Sequence, residues 1–195
     1  VPKRPGTMAG DIKIWDANGD GEINSLDRIR QDLTDIPQIV YGVNLGITWK
    51  QFDLSLLFQG QAKVINTIQE TWVDPSSGGA GNLMQWWTED MWTPENTDGT
   101  KPRLGTPNKI NGTTFTNINA AFFKLKNAEI GYTLPVAVRE KIGVANARVY
   151  LSGTNLFSFD HMRGMGIDPE ATGSGYGGWA LNPQRLINLG VNVSF

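Results

Sequence analysis

From residue 39 to residue 58, apolar and polar side chains alternate with few interruptions. Ile39, Tyr41, Val43, Leu45, Ile47 and Trp49 interleave with Gly42, Asn44, Gly46 and Thr48. Phe52, Leu54, Leu56 and Phe58 then alternate against Asp53, Ser55 and Gln59. Successive side chains of a strand point to opposite faces, so this pattern predicts two strands, each with one apolar and one polar side. Only Lys50 and Gln51 separate them, which predicts a tight hairpin. The last ten residues, "LINLGVNVSF", repeat the rhythm: Ile187, Leu189, Val191, Val193 and Phe195 share one face, and Asn188, Gly190, Asn192 and Ser194 the other.

Two less regular strands complete the set. One places Ala128, Ile130, Tyr132 and Leu134 on a common face, and the other Val149 and Leu151. Between them, Pro135 opens a short helical turn in "LPVAVREKIGVAN". The strands are expected at about 38-50, 51-73, 119-134, 145-158 and 183-195, the second running on through Val64, Asn66 and Ile68 towards Trp72. Three long connections remain, 10-37, 74-118 and 159-182, each rich in Gly, Pro, Asn and Asp. Connections of this length are rare in a compact domain unless they carry function. In an up-and-down sheet, alternate connections fall at opposite ends. All three long segments then land on one rim and both short ones on the other. Transmembrane β-barrels have that asymmetry, and a soluble sandwich has no reason for it. Five strands cannot close a barrel whose smallest form has about eight, so they belong to a larger barrel or an assembly.

Composition removes several alternatives. With no cysteine, a disulfide scaffold, thiol catalysis and cysteine metal sites are excluded. His161 is the only histidine, so multi-histidine metal sites and most histidine-based catalytic sets are excluded too; it reads as a loop residue in "FDHMRGMGIDPE". The net charge of -2 gives no global field for nucleic acid. There is no apolar run of transmembrane-helix length, a test to which barrel strands are blind. The opening "VPKRPGTMAGD" lacks the apolar core of a signal peptide and reads as an internal start. "GSGYGG" (173-178) lacks a lysine and a following helix, so it is no phosphate loop. No paired carboxylates sit on a catalytic frame, and the chain is read as not an enzyme.

Three candidate sites stand out. In "WDANGDGEINSLD", Asp16, Asn18, Asp20, Glu22, Asn24 and Asp27 take positions 1, 3, 5, 7, 9 and 12 of a calcium loop, with Gly21 at the sharp turn. Glu22 would contribute its backbone carbonyl, and Ile23 would pack inward. Seven of the 19 acidic residues lie between Asp11 and Asp35, and like charges that close call for a cation or for solvent. Bound calcium stiffening a rim loop is the expectation; a solvated acidic turn is the alternative. A true EF-hand is disfavoured because the preceding "GDIKIW" reads as a strand. The second site is "LMQWWTEDMW" (83-92), with Trp86, Trp87 and Trp92 among the seven tryptophans of the chain. Their faces suit a sugar or a partner. The favoured reading is a short amphipathic helix in which Leu83, Trp87 and Met91 pack on the rim or a lid. The third site comprises Trp49, Phe52 and Tyr132, placed near strand ends as a membrane girdle; ordinary core packing is the alternative.

An ordered set of stretches carries a family resemblance: "GDIKIWDANGDGEINSLDR" (10-28), "YGVNLGITWKQFDLSLLFQG" (41-60), "FKLKNAEIGYTLP" (123-135), "ARVYLSGTNLFSF" (147-159), "GIDPE" (166-170) and "NPQRLINLGVNVSF". Together they resemble the C-terminal part of the SusC/RagA-type TonB-dependent outer-membrane transporters. The resemblance implies an all-β fold, the last five antiparallel strands of a large, 22-stranded transmembrane barrel with long extracellular loops. It implies residues 1-37 as an extracellular loop, import of glycans or peptides in a Gram-negative outer membrane, and a SusD-like lipoprotein as lid. TonB would engage an N-terminal part lying outside these residues, and Phe195 would serve as the aromatic terminus read during barrel insertion. The competing expectation is a soluble, secreted, calcium-stabilised β-protein that binds carbohydrate or a surface partner.

Overall fold

The computed structural model describes residues 4, 6-68, 83-105, 112-170 and 182-195. Five antiparallel strands form one open sheet, each hydrogen-bonded to the next: β1 (Ile39–Trp49), β2 (Phe52–Ala62), β5 (Phe122–Thr133), β6 (Asn146–Asp160) and β7 (Leu186–Ser194). Two short strands, β3 (Ile65–Thr67) and β4 (Asn117–Asn119), pair with each other apart from this sheet.

The hairpin turns at Lys50, whose φ of 55° lies in the left-handed region, and its ammonium sits 4.8 Å over the Trp49 ring. At the same rim, α2 (Val136–Ile142) links β5 to β6. It begins after Pro135 and stops at Gly143, which takes a left-handed φ of 70°. Strand register sets the faces. Trp49 pairs with Phe52, Phe52 with Tyr132, Tyr132 with Val149 and Val149 with Val191. Two residues further along, Ile47, Leu54, Ile130, Leu151 and Leu189 form the next row. Period-two patterning in five strands thus becomes one continuous apolar face, with Asn44, Asp53, Glu129, Ser152 and Asn188 among the residues opposite.

The second strand is shorter than expected from 51-73. It ends at Ala62 because Lys63 takes a left-handed φ of 53°, which turns the chain and buries Val64 completely. Residues 65-67, expected to continue that strand, instead pair with 117-119; Trp72 lies outside the described residues. The third strand accordingly begins at Phe122 and not at 119, and the fourth runs on to Asp160. "GDIKIW", expected as a strand, is irregular: Ile12 packs inward and Trp15 is exposed.

All three long connections leave from the rim opposite Lys50 and α2, and their described parts build a small core of their own. Ile68 and Trp87 pack with Ile12, Leu83, Phe115, Ile118 and Ile167. Val64, Ala120 and Met162 form an adjoining cluster that shares Ile118 and Ile167. Residues from each connection therefore meet at one place. An ion pair adds to this: Arg103 Nε lies 2.7 Å from the buried Asp11 carboxylate.

Candidate functional site

The apolar face of the main sheet is uncovered. Ile187 and Leu189 are 66% and 76% exposed, and Val43, Leu45, Ile47, Ile130 and Leu151 are exposed with them. Water-soluble monomers rarely leave contiguous apolar patches beyond a few hundred Å². From the Trp49 row to the Tyr41 row the band covers eight residue steps, about 27 Å along a strand and roughly 21 Å in height at a 40° tilt. That is close to the ~25 Å apolar band of a transmembrane barrel.

Aromatic rings bound the band at both ends. At the short-connection rim stand Trp49, Phe52 and Tyr132, the last two with ring centroids 4.8 Å apart. At the other rim, Phe58 and Phe123 stack at 5.3 Å and 2°, and Phe157 and Phe159 meet edge to face at 5.3 Å. Tyr41 belongs to this second belt. Its ring lies on bare backbone at Gly60, where a Cβ would fall 2.3 Å from a ring carbon, and its hydroxyl donates to the Phe122 carbonyl at 3.2 Å. Aliphatic residues fill the rows between the belts.

The opposite face is polar and carries charge. Near the short-connection rim, the Arg148 guanidinium donates to both Asp53 oxygens and, at 2.8 Å, to Glu129. Near the other rim, Lys124 Nζ donates to Asp168 at 2.6 and 2.7 Å and to Glu170 at 2.9 Å; Lys126 Nζ donates to Glu170 at 2.7 and 2.9 Å. Lys124 is only 3% exposed. Two residues apart on β5, Lys124 and Lys126 share a side of the sheet, and the irregularity between Leu125 and Asn127 keeps Asn127 on that side too. The "GIDPE" segment is thereby fastened across the polar face, helped by Gln61 donating to the Pro169 carbonyl at 3.3 Å. Burial raises the Glu170 carboxyl, but hydrogen bonds from Lys126 and Lys124 outweigh it and hold the group below its ordinary value.

The acidic loop is organised by its own backbone. Asp16 accepts from the N–H groups of Gly19 (2.7 Å) and Gly21 (2.9 Å), Asn18 from Asp20 (3.0 Å), and Asp20 from Glu22 (2.8 Å). Asp27 accepts from Asn24 and Ala17, at 2.8 and 2.9 Å, and the Asn24 N–H is the main cause that lowers its carboxyl. Among the described residues no three acidic or histidine side chains converge at metal-binding distance. The oxygens the spacing aligned for calcium point instead at N–H donors.

The tryptophans divide. Trp87 is 3% exposed and packs edge-on against Phe115 at 5.7 Å, so its face is not open to a sugar. Trp86 stands edge-on to Trp87 at 5.5 Å, and the half-buried Trp92 lies against Gly10. The expected helix through Met91 shrinks to one turn, α1 (Gln85–Thr88). The chain leaves it because Asp90 and Trp92 hydrogen-bond to Lys101, at 2.9 and 2.8 Å. His161 is exposed, one residue past β6, and Phe195 is 96% exposed beyond β7. Sequence reasoning missed the second aromatic belt, the Arg148 cluster and the lysine–carboxylate strap. "KLK" at 124-126, two cations two residues apart on a strand, was the available signal for the last.

Comparison with known proteins gives a consistent answer. No family model matches the chain. TonB-dependent receptor P26 of Formosa agariphila is 30% identical over 202 residues, 96% of this chain. TonB-dependent receptor P3 of the same organism is also 30% identical, over the whole chain. The chain corresponds to a segment of TonB-dependent receptors. It spans 20% of the length of each of these two relatives. Among solved structures, the RagAB peptide importer in its 'open-open' state aligns with 85% of this chain at 28% identity and a TM-score of 0.63, over 18% of that chain. The 'closed-closed' state aligns with 87% at 27% identity and a TM-score of 0.61, again over 18%. The antiparallel sheet of this receptor segment matches the barrel of those neighbours. Both relatives are named receptors and not enzymes, in keeping with the lack of a catalytic frame in the sequence.

Proposed function

We propose that these five strands are consecutive staves in the wall of an outer-membrane importer of SusC/RagA type. The observation that carries the reading is the uncovered apolar face, bounded by an aromatic belt at each rim and backed by a polar face. The apolar side meets lipid and the polar side lines an aqueous lumen. The rim with the long connections faces outside the cell, where a SusD-like lipoprotein closes the barrel. TonB, acting on a different part of the full receptor, supplies the energy. The cargo is an oligomeric nutrient, peptide or glycan; similarity to RagAB, named a peptide importer, supports the peptide arm. A soluble secreted β-protein would have to cover this face with something else.

The test uses the full receptor. It is expected in the outer-membrane fraction, extractable only with detergent, co-purifying with a lipoprotein, and required together with TonB for uptake of labelled oligopeptides or oligosaccharides. Recovery in the aqueous phase without detergent overturns the reading.

For residues 16-27 we propose calcium binding on demand. The twelve-residue spacing and the local acid density support it. An ion would have to pull Asp16, Asn18 and Asp20 away from backbone N–H groups they now satisfy, so affinity is expected in the weak range of extracellular modules, about 10⁻⁴–10⁻³ M. Titration of the receptor with calcium, read by calorimetry against an Asp16→Asn/Asp20→Asn variant, should give saturable heat only for the parent. Equal heats from both would remove calcium from this loop.

A further inference from the structure

Where β2, β5 and β6 end at the long-connection rim, a cleft of about 420 Å³ opens beside the second aromatic belt. Tyr41, Phe123 and Phe159 line it from the sheet's outward face, continuous with the aliphatic band, and the buried Phe122 lines it from the adjoining row. Just beyond β6, Arg163 contributes a guanidinium to its lining and His161 an imidazole. Among the described residues neither makes a hydrogen bond or ion pair, whereas Lys124, Lys126, Arg103 and Arg148 are all paired with carboxylates. Asp160 also lines the cleft. Its carboxylate is turned into its own segment, accepting from the Met162 N–H at 3.0 Å and the Ser158 hydroxyl at 2.5 Å.

We infer that this cleft holds the phosphate headgroup of an anionic lipid in the outer leaflet. Arg163 and His161 would take the phosphate, and the acyl chain would run down the belt past Phe123 and Phe159. The inference rests on the membrane reading above. Two features favour a lipid over a free anion. The Arg163 guanidinium stands at the height where an aromatic belt meets headgroups, and the apolar wall continues into the lipid-facing band. Guanidinium is also suited to phosphate, which it contacts through paired N–H donors.

The full receptor would be reconstituted in dioleoylphosphatidylcholine vesicles doped with dioleoylphosphatidic acid. It would then be released in mild detergent and weighed intact to count retained lipids. Phosphatidic acid should be enriched about tenfold over phosphatidylcholine, a difference of about 1.4 kcal/mol. A His161→Gln/Arg163→Gln variant should lose that enrichment, and Arg163→Lys should keep most of it. Equal enrichment in the double variant overturns the site. Displacement of the lipid by inorganic phosphate at equal concentration overturns the lipid assignment. Vesicle association itself reports the membrane reading separately: a receptor that enters vesicles yet shows no headgroup preference refutes only this inference.

Discussion

The sharpest test of the wall assignment is a charge placed on each side of β1. Leu45 sits in the middle row of the apolar face, two rows from the Trp49 row and two from the Tyr41 row, paired with Leu56 and in line with Ala128, Gly153 and Ile187. Its neighbour Asn44 faces the other way, in line with Leu57, Asn127 and Thr154. In a barrel wall, Leu45→Arg puts a guanidinium at mid-bilayer, which costs about 2–4 kcal/mol, or roughly 30- to 900-fold in the folding equilibrium. Phe159→Arg, at the rim, should cost no more than about 1 kcal/mol, because the charge reaches the headgroups. Asn44→Arg points into water and should cost about as little. The assay is denaturant unfolding of the full receptor in phospholipid vesicles, followed by tryptophan fluorescence. The expected order of cost is Leu45→Arg, then the other two together. Equal costs for Leu45→Arg and Asn44→Arg would refute the reasoning, since one residue step would then make no difference to what a side chain meets.

Lys124→Met leaves Asp168 and half of Glu170's partnership without a cation. The cost should be about 3 kcal/mol, the low end for a broken buried pair because Lys126 still covers Glu170. It should appear as faster proteolysis or hydrogen exchange at 161-170 with the sheet unchanged. Acid should release the same strap. Glu170 titrates below its ordinary value near 4.5, so its contribution is complete above that pH and is lost as pH falls through the lower folded value. Exchange protection at 161-170 should therefore be complete above pH 4.5 and fade as the pH falls below it. Trp87→Ala empties the loop core at an expected cost of about 3–5 kcal/mol. Exchange should rise at residues 64-68 and 115-118, and not in β5 or β6.

The faces of the strands were legible because a strand's geometry is local. Alternation in "YGVNLGITW" assigns Val43 and Asn44 to opposite sides whatever the neighbours are. The strand ends were less legible. Val64, Asn66 and Ile68 kept the same rhythm, so nothing in the pattern showed that Lys63 would break the strand and send them to a second, smaller sheet. The calcium-type spacing was legible as a motif, but backbone N–H groups competing for the same oxygens appear only once the loop is folded. Helical spacing favoured packing over a sugar platform for Trp87 but named no partner, and the contact with Phe115, 28 positions away, supplies one.

The sequence by itself determined the two-sided strands, the tight turn at Lys50–Gln51 and the sorting of long connections to one rim, because period, turn chemistry and antiparallel parity depend on neighbours along the chain. Only the tertiary structure decided the register that joins five stripes into one apolar band, the second aromatic belt, and the strap from Lys124 to Asp168, 44 positions apart. Those depend on which strands lie side by side and how far each slides along the next. That is settled by hydrogen bonding and packing among residues distant in sequence, to which a local pattern carries no pointer.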